Sequence, residues 1–476
     1  MTAQQASAIP WDLVVIGGGT AGLVASRTAV SFGSRVLLIE ELQLGGDCLW
    51  FGCVPSKSLI AAATAATVAR RSSHLGVTTT GVTIDFSRVM QHVHEARATI
   101  EPVDSAESLH RDGVDVVHGR AVFTGPRALE VKGQSIGFAQ AMIATGGSPS
   151  VPDLPGAASA NILTSSTFWD ITELPDNLVV LGGGAIGCEI AQAMARLGSI
   201  VTLVHRGDRI LPKEDEKAAT VVAAALQEDG VTVRLGRSAS SFEPDFVVLD
   251  DGTRLPADAI LAAIGRRSNT KSLGLEKAGV ALDDKGNVRV DNKLRTTNPR
   301  IWSAGDVSGL PQFTHTAGVN GSIAASNAVL GLSRSVDSDA VPRVTFTHPE
   351  VGAVGVQPSE AGEHGYEVVT IEHHDLDRAI AEAETSGFTQ LVVDSKGRMF
   401  GALVVSPRAG ETLGELSIAV KNGLTTSQVA GTTHAYPTFD DAVWLAAVAN
   451  VRARLKKGVV GGATKVLHAV RSRRVR

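Results

Sequence analysis

A short apolar strand, a glycine-rich turn and a helical stretch follow one another twice along the chain. The predicted elements of the two segments are the strand Asp12–Ile16, a helix to Phe32, the strand Arg35–Ile39, the strand Asn177–Leu181, the helix Cys188–Leu197 and the strand Ile200–Val204. The first turn begins at Gly17, and the second begins 165 residues later at Gly182. This spacing predicts two β-α-β dinucleotide-binding units, and therefore two dinucleotides.

The rest of the chain alternates between helical and strand patterns. The predicted elements are the helices Ser56–Arg71 and Ser87–Arg111, short strands within Val114–Leu129, the strand Gln140–Thr145, a strand ending at Gly305–Asp306, a helix to Leu330, the strands Val344–Thr347, Glu367–Ile371, Phe388–Val393 and Ala402–Val405, and helices near Thr412–Asn422 and Asp440–Ala449. The last strands and helices predict a separate α+β domain.

Composition narrows the functional class. The chain has 476 residues, of which 43% are hydrophobic and 20% are charged, and its net charge is −5. These values are typical of a globular protein of several domains, and they do not indicate nucleic-acid binding. Three cysteines suit a reducing compartment. The first ten residues do not resemble a signal peptide, and no run approaches a membrane span, so a cytoplasmic location is expected.

The C-terminal tail differs in charge from the rest of the chain. Residues 452–476 contain no acidic residue, and their cationic residues are Arg452, Arg454, Lys456, Lys457, Lys465, Arg471, Arg473, Arg474 and Arg476. The apolar residues between them are Val459, Val460, Val466, Leu467 and Val470. One interpretation is a solvated, partly frayed tail; the alternative is a weak contact with an anionic membrane surface or an acidic partner.

The first glycine-rich turn predicts a nucleotide site. Gly17, Gly19 and Gly22 follow the strand and open the helix, so phosphates would lie on free N–H groups at the helix N-terminus. Glu40 ends the next strand, where a carboxylate binds an adenosine ribose hydroxyl.

The second turn repeats the pattern with a different strand end. Its glycines are Gly182, Gly184 and Gly187, and its strand ends at His205 and Arg206 instead of a carboxylate. Because this pair can bind a 2′-phosphate, we favour NADPH, with NADH as the alternative. In the plainer interpretation, Arg206 is only an exposed charge.

Two cysteines lie in the run G-G-D-C-L-W-F-G-C-V-P-S-K, which extends from Gly45 to Lys57. A zinc site needs a second cysteine pair to complete four donors, and the chain has none. Cys48 and Cys53 can instead form a reducible disulfide, and a helix beginning near Pro55 would lower the pKa of Cys53. Cys188 is expected to be a buried small residue, and no metal site is predicted.

Together these motifs resemble the class I pyridine nucleotide–disulfide oxidoreductases, the family of glutathione reductase, dihydrolipoamide dehydrogenase and mercuric reductase. The motifs that carry the resemblance are the cysteine run, A-T-G-G at Ala144–Gly147, G-R at Gly265–Arg266, A-G-D at Ala304–Asp306 and F-T-H-P-E at Phe346–Glu350. The resemblance implies an α/β fold with two Rossmann-like domains, for FAD and NAD(P), and a C-terminal α+β dimerisation domain. The implied divisions are an FAD domain over 1–150, an NAD(P) domain over 151–270, a return to the FAD domain over 271–340, a dimerisation domain over 341–450 and the tail over 451–476.

The resemblance also implies roles for individual residues. Cys53 would face the flavin and Cys48 would exchange with the acceptor, while Lys57 and Glu189 would pair near the hydride-receiving atom of the flavin. Further implied cofactor-binding residues are Gly46, Lys57, Thr145, Gly146, Asp306, Gly265 and Arg266. The enzyme would be a homodimer.

The chain departs from this family at its acid–base residue. Where the disulfide reductases have H-P-T followed by a glutamate, this chain reads H-A-Y-P-T-F-D-D from His434 to Asp441. Tyr436 takes the position of the catalytic histidine and Asp441 that of its glutamate; His434 is the alternative base. An ordinary tyrosine is a poor base at neutral pH. Mercuric reductases also have a tyrosine in this region, but this chain has no cysteine after Cys188.

These observations predict an FAD-dependent NAD(P)H oxidoreductase with a redox-active Cys48–Cys53 pair. Its small-molecule acceptor would be a disulfide, a metal ion or a quinone. Two alternatives stay open: a quinone reductase that bypasses the cysteines and touches a membrane through its tail, and a non-catalytic flavoprotein subunit. Trp50 and Phe51 within the cysteine run either line a flat acceptor pocket, pack on the flavin side or serve ordinary packing.

Overall fold

A computed structural model describes residues 11–456 and 458–473. For residues 458–460 and 473 it describes the backbone only. The described chain divides into two compact units. The first comprises residues up to 182, 193–206 and 237–336, and the second comprises residues 183–192, 207–236 and those from 337 onward.

The secondary structure alternates throughout both units. The strands are β1 (Trp11–Ile16), β2 (Val36–Glu40), β3 (Val114–His118), β4 (Ala121–Gly125), β5 (Ala128–Val131), β6 (Gln134–Ile143), β7 (Gly147–Pro149), β8 (Ile162–Thr164), β9 (Asn177–Leu181), β10 (Ile200–His205), β11 (Thr232–Leu235), β12 (Ala239–Glu243), β13 (Phe246–Leu249), β14 (Arg254–Pro256), β15 (Ala259–Ala262), β16 (Arg266–Ser268), β17 (Ile301–Ser303), β18 (Arg343–Thr345), β19 (Glu350–Gly355), β20 (Glu367–Glu372), β21 (Phe388–Val393) and β22 (Met399–Ser406). The α-helices are α1 (Thr20–Ser31), α2 (Gly46–Trp50), α3 (Cys53–Arg71), α4 (Phe86–Asp104), α5 (Ala106–Arg111), α6 (Ala185–Leu197), α7 (Glu216–Glu228), α8 (Leu275–Ala278), α9 (Thr314–Leu330), α10 (Asp377–Glu382), α11 (Ala409–Lys421), α12 (Thr426–Ala430), α13 (Asp441–Lys456) and α14 (Gly458–Arg473). Short 3-10 helices occupy Ser72–Leu75, Phe168–Asp170, Asp306–Ser308, Pro358–His364 and His373–Asp375.

The central sheet of the first unit has the order β3-β2-β1-β6-β5-β4, with β17 beside β6. β1 runs parallel to both β2 and β6. Its alternate residues enter two different cores: Leu13 and Val15 pack with residues of α1 and α9, and Val14 and Ile16 pack with residues of β4, β5 and β6. Because both faces of β1 are covered, the strand is a continuous apolar run instead of an alternating one.

The same unit contains a second set of parallel strands, in the order β10-β9-β15-β8. β9 coincides with the predicted strand Asn177–Leu181, and β10 extends the predicted Ile200–Val204 by one residue. The repeat found in the sequence therefore corresponds to two parallel strand pairs, each with a glycine turn after its first strand.

The second unit contains a five-stranded antiparallel sheet of order β18-β19-β22-β21-β20. Buried residues of α11 and α13 pack with residues of β19, β21 and β22 in one core. The predicted α+β domain is present, although the sequence patterns missed the short helix α12, which Thr425 caps by accepting the N–H of Gln428.

The prediction of one long helix over Ser87–Arg111 was wrong. α4 ends at Asp104, and α5 begins at Ala106. Ser105 between them is extended, and its hydroxyl accepts the N–H of Ser108, which caps the new helix. A serine cap inside an amphipathic run thus starts a second helix instead of continuing the first.

In the residues that the structure describes, the C-terminal tail is helical and mostly exposed, so both interpretations of it stay open. α13 continues to Lys456, and α14 covers Gly458–Arg473. Lys457, Arg474 and Arg476 lie outside the described residues, as do the side chains of Val459, Val460 and Arg473.

One further expectation needs correction. The segment Gly46–Leu75, which contains α2 and α3, is long and apolar enough to cross a membrane by length and composition alone. About 28% of its most apolar window is buried within the chain. Core helices of soluble proteins and signal sequences pass the same test, so the segment by itself is weak evidence for a membrane.

Candidate active site

The first glycine turn is built for close backbone approach. Gly17 has φ +107°, and a Cβ there would lie 2.3 Å from the carbonyl oxygen of Ala144. A Cβ on Gly22 would lie 1.9 Å from the carbonyl oxygen of Gly17. Gly19 caps α1 without a side chain, so the first N–H groups of the helix are left for an external anion.

The carboxylate at the end of β2 closes this turn. Glu40 accepts the N–H of Gly18 at 2.5 Å and that of Leu42 at 2.7 Å. Gly46, at the start of α2, has φ +58°, and a Cβ there would lie 2.5 Å from the Cα of Gly19. The cysteine run therefore begins directly against the nucleotide turn.

The second turn repeats the backbone geometry of the first. Gly182 has φ +116°, and a Cβ there would lie 2.3 Å from the carbonyl oxygen of Ala263. Gly184 accepts the N–H of Cys188 at 3.0 Å at the start of α6, and Gly187 is buried in that helix. At the end of β10, His205 is half-buried and Arg206 is exposed.

Two motifs that lie about 120 residues apart in the sequence become neighbours. β7, which follows Ala144–Gly147, pairs antiparallel with β16, which follows Gly265. Thr145 donates its hydroxyl to the carbonyl of Asn269 at 2.8 Å, and Gly146 accepts the N–H of Asn269 at 3.0 Å. Gly265 has φ +128°, where a side chain would be strained.

Arg266 links the predicted flavin-binding loop to the cysteine run. Its guanidinium lies 3.3 Å from Asp306 and 3.3 Å from Asp47, and it donates to the carbonyl of Gly147 at 2.6 Å. Burial raises the pKa of Asp306, and the charge of Arg266 opposes this shift. The role of Arg266 in cofactor binding stays a prediction.

The two cysteines of the run are free thiols, with Cys48 half-buried in α2 and Cys53 exposed as the first residue of α3. The hydrogen bond from Cys48 is the largest cause that lowers the pKa of Cys53, to about 6; burial opposes it, and Thr314 and Lys57 support it. The same hydrogen bond, together with burial, raises the pKa of Cys48. The pair is therefore polarised, with a thiolate on Cys53 and a proton on Cys48.

Thr314 is a functional residue that the sequence did not reveal. Its hydroxyl lies 3.1 Å from the sulfur of Cys53, although the two residues are 261 positions apart. Thr314 begins α9, which packs with α1 in the core of the first unit. Its neighbours match no motif, so only the tertiary packing identifies it.

Trp50 and Phe51 each take part in a hydrogen bond that an indole group donates. Trp50 donates its indole N–H to the carbonyl of Leu44 at 2.6 Å, and the carbonyl of Phe51 accepts the indole N–H of Trp169 at 2.8 Å. These contacts support the plain packing interpretation. Cys188 is fully buried, as predicted, and burial raises the pKa of its thiol.

Lys57 and Glu189 belong to different units, so their predicted pairing stays a prediction. Lys57 donates to the hydroxyl of Ser56 at 3.3 Å. Glu189 is buried in α6 and accepts the N–H of Phe346 at 2.9 Å, at the start of the F-T-H-P-E motif. That motif thus fixes the carboxylate of Glu189 within the second unit.

Comparison with known proteins shows the family of the chain. A family model for pyridine nucleotide-disulphide oxidoreductases matches residues 11–321, and the model for their dimerisation domain matches residues 341–447. The chain belongs to the pyridine nucleotide-disulphide oxidoreductase family. The predicted fold class, with dinucleotide-binding and dimerisation domains, is confirmed.

Relatives within the pyridine nucleotide-disulphide oxidoreductases carry different names. A mercuric reductase of Streptomyces lividans is 34% identical over 92% of this chain and 95% of its own length. A dihydrolipoyl dehydrogenase of Bacillus subtilis is 34% identical over 92% of this chain and 96% of its own length. The solved HOCl-induced flavoprotein disulfide reductase RclA from Escherichia coli matches with a TM-score of 0.82 at 30% identity, over 90% of this chain and 98% of that one.

Membership in the pyridine nucleotide-disulphide oxidoreductases makes the chain a flavin-dependent disulfide oxidoreductase that uses FAD and a pyridine nucleotide. The residues present fit FAD, because the uncapped N-terminus of α1 and the close-packed Gly17 turn offer a pyrophosphate cradle. The dimerisation domain supports a homodimer.

The loop that contains Tyr436 and Asp441 lies within the range matched by the dimerisation domain. Tyr436 is 71% exposed, and its hydroxyl donates to Asp377 at 2.5 Å, not to Asp441. Asp441 instead accepts the N–H of Thr438 at 3.2 Å at the start of α13. The hydrogen bond and the charge of Asp377 raise the pKa of Tyr436. No motif in the sequence indicated the contact with Asp377, and the role implied for Asp441 stays a prediction.

His434, the alternative base, has hydrogen-bond partners of its own. Its Nε2 lies 2.9 Å from Glu415 and its Nδ1 lies 3.0 Å from the carbonyl of Thr432, and its side chain is 8% exposed. Burial lowers its pKa, but Glu415 and Thr432 more than compensate and raise it overall. Asp440 completes a group of ligand atoms within 4.8 Å of one another that could hold a metal ion, whereas the sequence had predicted no metal site.

Proposed function

We propose that this protein transfers two electrons from NADPH, by way of FAD and the Cys48–Cys53 pair, to a small-molecule acceptor at Cys48. The observation that carries the proposal is the placement of two free thiols in one run, with the Thr314 hydroxyl 3.1 Å from the sulfur of Cys53. Their mutual hydrogen bond lowers the pKa of Cys53 to about 6 and raises the pKa of Cys48. Bound FAD supplies the two-electron chemistry between nucleotide and dithiol.

The chain's own residues divide the remaining work. Cys53, hydrogen-bonded by Cys48 and Thr314, would hold the thiolate beside the flavin. Cys48 would attack the acceptor, after which Cys53 closes the disulfide and releases the product. Lys57 and Glu189 would pair near the hydride-receiving end of the flavin, and Asp306 would bind its ribityl chain. The homodimer would bring Tyr436 to the dithiol of the partner subunit.

An anaerobic titration with NADPH tests this function. Wild-type holoenzyme should take up two electron pairs and develop a long-wavelength thiolate–flavin absorbance. Cys53→Ser should lose that absorbance and take up one pair, whereas Cys48→Ser should keep the absorbance and lose acceptor turnover. Cys188→Ser is the matched control, since its thiol is buried elsewhere. An unchanged spectrum in Cys53→Ser would contradict the relay.

We propose that the acceptor belongs to one of three chemical classes: disulfides, metal ions or quinones. Relatives named mercuric reductase and dihydrolipoyl dehydrogenase, and a Cu(II) complex of the RclA structure, support the first two classes. Parallel assays of NADPH oxidation with lipoamide, glutathione disulfide, Hg(II) and a naphthoquinone should identify one acceptor by its kcat/KM. We expect a cytoplasmic enzyme.

The preference for NADPH is supported by the end of β10. Arg206 is exposed there and His205 is half-buried, so both can reach a 2′-phosphate. Arg206→Glu should raise the KM for NADPH about 10-fold or more and leave that for NADH unchanged or lower. Equal changes in the KM for NADPH and for NADH would show that Arg206 does not bind the 2′-phosphate.

A second candidate function is quinone reduction that bypasses the cysteines at a membrane surface. α14 favours it, because Val466, Leu467 and Val470 are exposed between Lys465 and Arg471. Truncation after Lys456 should abolish binding to anionic liposomes, and Cys53→Ser should retain naphthoquinone reduction. Negligible reduction of artificial acceptors by the wild type would instead favour a non-catalytic subunit.

A further inference from the structure

A tyrosine that donates to a carboxylate cannot act as a base by itself, but the pair can. The hydroxyl proton of Tyr436 is directed to Asp377 at 2.5 Å. A phenol oxygen that donates one hydrogen bond can still accept another, and Tyr436 is 71% exposed. This arrangement orients one acceptor site of Tyr436 outward and connects it to a carboxylate behind it.

We propose that Tyr436 and Asp377 form a proton relay, in which Asp377 is the base and Tyr436 carries the proton between it and the acceptor site. The inference rests on the proposed function, since its substrate is the thiol of Cys48 in the partner subunit. Asp377 would accept the proton and hold it while the acceptor reacts.

The step conserves every proton. The Cys48 thiol gives its proton to the oxygen of Tyr436 while the original hydroxyl proton of Tyr436 passes to Asp377. The products are a Cys48 thiolate, a neutral tyrosine and a protonated Asp377. When the acceptor is reduced, the same path returns the proton to the leaving group, and no phenolate is formed. The raised pKa of Tyr436 agrees with a tyrosine that stays protonated throughout.

The segment that carries Asp377 is fixed to the tyrosine loop at a second point. Arg378, the next residue of α10, donates to the carbonyl of Pro437 at 3.3 Å. Arg378 also pairs with Glu382, which Arg408 contacts at 3.3 Å. The charged groups that act on the tyrosine are Asp377 and, more weakly, Asp441. A helix of one turn therefore holds both the carboxylate and the backbone beside Tyr436.

The relay should matter for some classes of acceptor and not for others. Reduction of a disulfide or a quinone requires proton transfer at the acceptor, whereas reduction of a metal ion to its atom does not consume a proton. Asp377→Asn and Tyr436→Phe should each lower kcat/KM at least about 100-fold with a disulfide or quinone acceptor. Their combination should be no worse than either single variant, because the two residues act as one unit.

The matched control is Asp375→Asn, which removes a carboxylate two positions earlier that does not contact Tyr436. Asp375→Asn should have the same kcat/KM as the wild type. In every variant, NADPH should reduce the flavin at the wild-type rate. If NADPH does not reduce the flavin at all, the proposed function fails; if it does but Asp377→Asn turns over like wild type, only the relay fails. Multiplicative losses in the double variant would also contradict it.

A spectroscopic readout checks the pair independently of turnover. The chain has two tyrosines, Tyr366 and Tyr436. Labelling tyrosine with 13C at Cζ in a Tyr366→Phe holoenzyme leaves one signal, whose pH midpoint should lie above that of ordinary tyrosine. Asp377→Asn should move this midpoint to lower pH, and Asp375→Asn should not. A midpoint that ignores Asp377→Asn would overturn the assigned partner.

Discussion

Cys53 and Tyr436 are both exposed, and a hydrogen bond polarises each, but in opposite directions. Cys48 and Thr314 donate towards Cys53 and lower its pKa to about 6. Asp377 accepts from Tyr436 and raises its pKa. The dithiol loop therefore holds its group deprotonated near neutral pH, and the tyrosine loop holds its group protonated.

The difference shows that exposure alone does not fix the protonation state of a reactive group. Donors around a sulfur stabilise the anion, whereas a carboxylate beside a phenol destabilises it. In each loop one decisive partner comes from far along the chain: Thr314 for the thiol and Asp377 for the phenol. Substitutions at or near these partners test whether the contrast is real.

The largest effect is expected on the dithiol side, from Arg266→Gln. Loss of the guanidinium leaves the charges of Asp306 and Asp47 without their shared partner, which costs about 1–3 kcal/mol. The holoenzyme should release FAD more readily and unfold at a lower temperature. Flavin content after gel filtration and thermal unfolding measure this. Arg267→Gln, at an exposed neighbour, is the control and should change neither.

An intermediate effect is expected from Thr314→Val. In the wild type the thiolate of Cys53 is present above a pKa of about 6, so the thiolate–flavin absorbance should fade as the pH falls through about 6. Removal of the hydroxyl takes away a stabilising hydrogen bond and should move the midpoint to higher pH. Thr314→Ser keeps the hydroxyl and should leave it unchanged. If the absorbance of Thr314→Val fades at the same pH as that of the wild type, Thr314 does not stabilise the Cys53 thiolate.

The smallest effect is expected from Asp440→Asn on the tyrosine side. Burial and Glu415 raise the pKa of Asp440 to about 7, so the folded protein binds a proton there that the unfolded chain releases at lower pH. This contribution to stability is present below about pH 4 and is lost as the pH rises through about 7. Asparagine resembles the protonated acid, so it should raise the melting temperature at pH 8 by about 1–2 °C.

Measurements at pH 4 and pH 8 separate this effect from a general one. Asp440→Asn should change little at pH 4, where aspartate is already protonated in the fold. Stabilisation that is equal at both values would show that the acid is not held in its neutral form. Tyr436→Phe should leave the pH dependence of stability near neutrality unchanged.

Much of the dithiol region was predictable because its determinants are local. The spacing of Cys48 and Cys53, the glycines of both turns and the position of Cys188 lie within continuous motifs. Asp377 and Thr314 were not predictable, since each belongs to a helix start without a motif and approaches its partner only in the folded chain. The role of Asp441 stays a prediction, because its motif position is local while its observed contact is the N–H of Thr438 just before α13.

The sequence by itself determined the class of protein: two glycine turns, a cysteine pair and a dimerisation domain specify the two-dinucleotide fold and its dithiol chemistry. Only the tertiary structure decided how protons are held in the site. A pKa depends on charges and hydrogen bonds within a few ångströms, and those contacts join residues that are 261 positions apart at Cys53 and 59 positions apart at Tyr436. Such distances along the chain leave no periodic or spacing signal in the sequence.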